Sequence, residues 1–236
     1  MVAVSPLVDD QRYSDLAGAW PPSSPRIAGT SESLLALEPD LVIIASFTAP
    51  ETRAFLAAHA VRTLELDTFT GWGDLDRHTR AIAAAVDAAA EGEALIDARR
   101  RRLAALAEEH RRGRPLAAIA WGDGLLAGAD TTFDAIADAA GLKNMAQEQG
   151  LKGHVSIPVE SIVAWDPEVI VIGCDPPVCA DAEAELAARP GIAATRAARA
   201  GGIFAIPTRF LASTGDGMLT AAEALQARRI ALTEAP

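Results

Sequence analysis

Hydrophobic positions along the chain follow two periods in turn. Over residues 31–37 (SESLLAL) they recur at helical spacing. After a Glu-Pro-Asp break they run without interruption through Leu41, Val42, Ile43, Ile44 and Ala45. The first pattern predicts a short amphipathic helix. The second is too short for a helix and rich in β-branched residues, and it predicts a strand covered on both faces, as a parallel sheet requires. Nearly the same text returns at residues 159–172 (VESIVAWDPEVIVI), aligned without a gap. Glu32 pairs with Glu160, Ser33 with Ser161, Ala36 with Ala164 and Pro39 with Pro167, and each proline has an acidic residue on either side. Proline suits the junction, because it lacks an N–H and pushes the residue before it out of the helical region. Two copies half a chain apart predict two similar lobes.

Carried along the chain, the same reading predicts strands near residues 2–4, 41–45 and 63–66 and helices near 31–37, 51–59 and 74–88. In the second half it predicts strands near 116–121, 169–172 and 203–206 and helices near 131–139, 160–164, 181–188 and 218–232. Such alternation is the pattern of an α/β fold. Residues 91–113 (EGEALIDARRRRLAALAEEHRRG) contain strong helix formers without a breaker and stop at Gly113, with Pro115 just beyond. They predict one long helix, a stiff connection between the lobes. The expected organisation is an amino-terminal lobe over residues 1–89, a connecting helix over 90–113 and a carboxyl-terminal lobe over 114–236, both lobes Rossmann-like with parallel sheets.

Composition narrows the function classes. The 236 residues, 50% hydrophobic and 22% charged, suit one large domain or two smaller ones. No apolar run approaches the roughly 20 residues of a membrane-spanning helix. A net charge of −11 argues against nucleic acid as a partner. The basic run from Arg99 to Arg102 lies beside an apolar stripe of Leu95, Leu103 and Leu106 and reads as a solvated helix face. GDGLLAG after a predicted strand misses the dinucleotide fingerprint, since its third glycine is one position late and no helix opens there. Neither a phosphate-binding loop ending in Gly-Lys-Ser/Thr nor a Gly-x-Ser-x-Gly elbow occurs. His59, His78, His110 and His154 lack ligand spacing, and the first three read as helix-surface residues. Cys174 and Cys179 suit a small disulfide loop in an oxidising compartment, or two free thiols; a metal pair would need two further ligands.

The duplicated Glu-Ser-apolar-apolar-Ala-x-acid-Pro pattern, the long helix, AGADTTFDAIADAAGLKNMA (residues 127–146) and GGIFAIPTRF (residues 201–210) carry a family likeness in their order and spacing. Together they resemble the helical-backbone class of substrate-binding proteins, which serve ATP-driven importers of vitamin B12, ferric siderophores and haem. The resemblance covers the chain from Val2 to about Ala227. It implies a two-lobed solute receptor with no catalytic activity and no resident cofactor, periplasmic, expected as a monomer, that holds a metal chelate in a cleft between its lobes. It also implies that Glu32 and Glu160 dock on arginines of the importer's permease. On the residues alone, each glutamate reads as an ordinary first-turn acid near the positive end of a helix dipole.

Ligands of α/β lobes sit beyond the carboxyl ends of the strands. The loops there are expected to present Phe47, Thr48, Thr70 and Trp72 from the first lobe. From the second they present Trp121, Asp123, Asp175, Arg209 and Phe210. Aromatic faces supply stacking area, and Arg209 can pair with a ligand oxygen. Trp72 and Trp121 lead, because each follows a strand and neighbours glycine. Trp165 lies in the repeat helix and reads as packing; Trp20, in WPPSSP, stays open between rim and loop anchor. A single cation in this set favours a mostly neutral corrinoid slightly over an anionic siderophore, and with Tyr13 as the sole tyrosine, haem ranks third. Two rivals stand beside the receptor: an enzyme using the same lobes for cofactor or metal chemistry, and a relative that no longer transports. The second rests on the start of the chain. Members of the family carry a signal peptide, then a first strand and helix ahead of the segment that here reads VAVSP, and this chain begins at Met1 without them. Without that strand the first lobe is expected to have a sheet edge in need of cover.

Overall fold

A computed structural model of the chain describes residues 1–27, 31–122 and 124–234. Its contacts divide into two units, one of Met1–Thr68 with Gly73–Ile96 and one of Phe69–Trp72 with Asp97–Pro236.

The first unit opens on a 3-10 turn, Pro6–Asp9. The stretch predicted as a strand at residues 2–4 makes only one isolated parallel bridge, Val4 to Arg26, because no further strand lies beside it among the described residues. There follow α1 (Ser31–Leu35), β1 (Val42–Ala45), α2 (Pro50–Ala58), β2 (Thr63–Leu66), α3 (Trp72–Ala85) and α4 (Ala89–Glu109). β1 and β2 pair in parallel, from Val42 opposite Thr63 to Ala45 opposite Leu66. Full cover on both faces, expected for β1, is not found: Ile43 is 45% exposed. Two strands offer too few neighbours to bury both faces of either one. The interior is correspondingly small, with Leu56, Leu75, Ala83 and Ile96 buried. Gly92 lets α4 pass tightly over α3, since a Cβ there would lie 2.5 Å from that of Ala83.

The second unit holds β3 (Leu116–Gly122), β4 (Leu125–Ala127), α5 (Thr132–Ala139), β5 (Leu142–Asn144), α6 (Met145–Glu148), β6 (His154–Ser156), α7 (Val159–Trp165) and β7 (Val169–Cys174). It continues with α8 (Cys179–Ala188), α9 (Arg196–Ala200), β8 (Ile203–Pro207), α10 (Thr208–Leu211) and α11 (Gly217–Glu234). Strands β5, β3, β7 and β8 pair in parallel, while β4 folds back antiparallel on β3 and carries β6. Alternate side chains go to opposite faces. Leu116, Ala118, Ala120, Val169, Val171, Phe204 and Ile206 join residues of α5 and α11 on one face. Ile119, Ile170 and Ile203 join Ile162 of α7 and Leu186 of α8 on the other. Burial of each such Leu or Ile contributes roughly 1.5–3 kcal/mol, so this unit carries most of the chain's apolar stabilisation.

Helix α4 ends at Glu109, short of Gly113, and runs from the first unit into the second between Ile96 and Asp97. Its basic run is not simply a solvated face. Arg99 is 3% exposed and its Nε donates to Asp216 at 2.7 Å, while Arg102 pairs with Glu223 at 2.8 Å. Both acids precede or lie on α11, and Leu106 joins the first cluster. Arg229 of α11 is fully buried and takes four backbone carbonyls: Arg112 (2.8 Å), Ala140 (3.0 Å), Arg114 (3.1 Å) and Glu109 (3.4 Å). It thereby supplies partners for the open carbonyls at the end of α4.

The repeat is reproduced at the backbone. Glu38 and Asp166, the acids before the two prolines, both adopt the left-handed conformation, with φ of 45° and 47°. Most residues resist that region, and short polar ones tolerate it best. In the second copy the acids also bond: the Asp166 carboxylate accepts the Arg196 N–H (2.7 Å), and Glu168 accepts the Ala117 N–H (3.0 Å) and pairs with Arg114 (3.1 Å).

Candidate ligand site at the carboxyl edges of the sheets

At the end of β1 the chain turns tightly. The Ser46 N–H donates to Leu66 O (2.8 Å), the Thr48 N–H to Ala45 O (2.9 Å), and the Thr48 hydroxyl accepts the Ala45 N–H (3.1 Å). Arg53, one turn into α2, braces this turn: its Nε donates to Thr48 O (2.9 Å) and its Nη2 to Ser46 O. Its Nη1 lies 3.2 Å from the Glu65 carboxylate. Phe47, at the tip, is 90% exposed.

After β2, the Asp67 carboxylate lies 2.6 Å from both His78 Nε2 and Arg77 Nη1. Hydrogen bonding to His78, then to Arg77, holds its pKa below the usual carboxylate range. His78 is therefore a buried, bonded residue of α3 and not the surface histidine expected, and His110 likewise bonds Ala139 O at 2.8 Å. Past Thr68, the four residues Phe69 to Trp72 belong to the second unit. Phe69 and Trp72 pack on its first cluster, and the Trp72 indole N–H donates to Ala135 O at 3.1 Å. Thr70 is exposed.

In the second unit, Trp121 closes β3 and leans on the second cluster, so it lies on the sheet face opposite Trp72 and Phe210. Its indole N–H is buried without a partner among the described residues. It borders a cavity of about 150 Å³ together with Ile172, Ala182, Leu186 and Arg189. Asp123 lies outside the described residues. At the end of β7, Cys174 and Cys179 form a disulfide, the first of the two states their spacing allowed, and close a small loop on which Asp175 is exposed. The Thr208 hydroxyl donates to Cys174 O (3.2 Å) and ties this loop to α10. There the Arg209 guanidinium lies 4.6 Å from the centre of the Phe210 ring. Trp165 packs on the second cluster, as its place in the repeat helix suggested.

Phe69, Trp72 and Phe210 thus pack on one face of the second sheet and Trp121 on the other, with Arg209 beside Phe210. Glu32 and Glu160 stand apart from this set, each exposed in the first turn of its helix, α1 or α7. Neither carboxylate is hydrogen-bonded or ion-paired among the described residues. Arg53 and Thr208 were not among the expected site residues. Arg53 had a local signal, a cation one turn inside the helix after a strand-end turn.

A model of the periplasmic binding protein family matches residues 1–210. The chain belongs to that family. Both the family and the α/β architecture with parallel-rich sheets are those the sequence resemblance implied. No curated protein matches the chain. Among solved structures, the periplasmic heme-binding protein BhuT in complex with two hemes is similar, with a TM-score of 0.80 at 25% identity over 98% of this chain and 89% of that one. A periplasmic heme-binding protein from Pseudomonas aeruginosa gives 0.80 at 24% identity, covering 99% and 86%. The molybdate periplasmic binding protein MolA of Haemophilus influenzae, bound to molybdate, gives 0.76 at 20% identity, covering 98% and 78%. The periplasmic binding protein fold therefore holds cargoes as unlike as a flat porphyrin and a small oxyanion, and cargo must be argued from the residues of each member. Family members are periplasmic solute-binding proteins, and no helix among the described residues of this one is long and apolar enough to cross a membrane.

Proposed function

We propose that the chain is the solute receptor of an ABC importer, which captures a metal chelate at the carboxyl edges of its sheets and hands it to the membrane permease. The family match over residues 1–210 carries this reading. Each unit by itself supports a chelate with a large apolar surface: the first offers Phe47, and the second offers Phe69, Trp72 and Phe210 as aromatic area, with Arg209, stacked on Phe210, as a cation for a peripheral carboxylate or phosphate. A tetrapyrrole, corrinoid or haem, fits that balance better than a multiply anionic siderophore. The similar BhuT structure is a complex with two hemes, which brings haem level with the corrinoid. The Cys174–Cys179 disulfide supports an oxidising compartment, as the periplasmic assignment requires. Glu32 and Glu160 are assigned to permease docking, where charge-assisted pairs with arginine set orientation and encounter rate. The reading gives the chain no chemistry and no resident cofactor.

Titration of the purified chain with cyanocobalamin, haemin, ferric desferrioxamine and molybdate tests this reading. Saturable one-to-one binding of one of them names the cargo class. Molybdate alone would replace the chelate with an oxyanion, and silence to all four would overturn the assignment.

A further inference from the structure

The repeat extends past its sequence match into the turns that follow the two strands. At the spacing that pairs Glu32 with Glu160, Ser46 corresponds to Cys174 and Glu51 to Cys179. In the second copy these positions are joined covalently, so the loop bearing Asp175 is fixed between the end of β7 and the start of α8. In the first copy no such bond exists, yet the matching turn is fixed by a different means. The Arg53 guanidinium reaches back from α2 to the carbonyls of Ser46 and Thr48, on either side of Phe47, and the Glu65 carboxylate on β2 holds its far end. Thr48 adds a closure of its own through its hydroxyl. Two carbonyls flanking one residue are thus held by one planar group, a task suited to the fork of arginine and not to the point charge of lysine.

The residue so displayed is a phenylalanine, 90% exposed. An exposed aromatic ring on a loose turn would collapse against the surface, and binding a ligand with it would cost the ordering of the turn. On a braced turn that cost is already met in the free protein. We propose that Arg53 is a positioning residue for ligand binding, the non-covalent counterpart of the Cys174–Cys179 disulfide, and that it holds Phe47 out as a preformed apolar contact for the cargo. This role rests on the receptor reading above.

Four variants of the full chain test it: Phe47→Ala, Arg53→Gln, their combination, and Glu65→Gln, which leaves both carbonyl contacts in place. Each is titrated with cyanocobalamin and with haemin and digested with chymotrypsin, which cuts after exposed phenylalanine only where the backbone is free to enter the protease. Phe47→Ala is expected to weaken binding of the chelate by about tenfold. Arg53→Gln is expected to do nearly as much, the double variant no more than either alone, and Glu65→Gln less than about twofold. Cleavage after Phe47 is expected to be slow in wild type and faster in Arg53→Gln, with the melting temperature of that variant well above the assay temperature. Losses that add in the double variant would overturn the positioning role. Equal cleavage in wild type and Arg53→Gln would overturn the brace itself. Should wild type bind none of cyanocobalamin, haemin, ferric desferrioxamine and molybdate while the cleavage difference stands, the receptor reading fails and the positioning role with it, and the brace alone remains.

Discussion

Arg229 shows how much one side chain can hold together. It sits fully buried, with its charge matched by backbone carbonyls of Glu109, Arg112, Arg114 and Ala140 instead of a carboxylate. Burial lowers its pKa from the usual arginine value, and the carbonyl dipoles keep the guanidinium satisfied. Gly141 is glycine for the same reason: it lies at φ of 72°, and a Cβ there would meet Arg229 Nε at 3.1 Å. Arg229→Met is expected to lower unfolding free energy by about 2–4 kcal/mol in urea titrations, because carbonyls at the end of α4 and after α5 lose their donor. Arg229→Lys should recover only part of this, as an ammonium group cannot span four acceptors. A methionine variant as stable as wild type would show that water replaces the guanidinium at no cost.

Glu168 ties three elements together: the start of β3 through Ala117 N–H, the exit of α4 through Arg114, and α9 through Arg196 at 3.8 Å. The Arg114 guanidinium holds its carboxyl below the usual glutamate range, and the Ala117 N–H and the Arg196 charge act in the same direction. Because the folded pKa is depressed, the resulting stability is complete above the unfolded glutamate pKa of about 4.3 and is lost as pH falls through the folded value. Glu168→Gln is expected to lower stability at pH 7 by about 1 kcal/mol, a modest figure because Arg114 is largely solvent-exposed, and to flatten the acid limb of the stability–pH curve. An acid limb as steep as that of wild type would argue against Glu168 as its source. Longer elements were legible in the sequence: both repeat strands and the α/β alternation follow from apolar spacing, and the long helix from its run of strong helix formers. Strands β4, β5 and β6 were not, since three residues each leave no period to read. Nor was the burial of Arg99, whose partner Asp216 lies 117 residues away. The candidate site divides in the same way. The closeness of its residues to strand ends was legible from the strands, but not that Trp72 opens α3, Trp121 lies within β3 and Arg209 and Phe210 lie on α10; nor was the sheet face Trp72 serves, which depends on a bond to Ala135, 63 residues distant.

For the whole molecule, the receptor reading separates two properties that a single mutation usually mixes. Glu32→Ala combined with Glu160→Ala is expected to leave chelate affinity within about twofold of wild type, since neither exposed carboxylate belongs to the proposed ligand set. Uptake through the permease should fall by tenfold or more if two charge-assisted pairs of about 1 kcal/mol or better are lost. Uptake equal to wild type would remove both glutamates from the docking role. One further consequence follows from the strap Phe69 to Trp72. A chain cut within α4 at the boundary between Ile96 and Asp97 would not release the second unit whole, because Phe69 and Trp72 would leave with the other fragment. The severed piece would carry an uncovered apolar patch over α5 and a carbonyl at Ala135 without its indole donor, and it should aggregate unless those four residues were supplied again, as a separate peptide or by circular permutation.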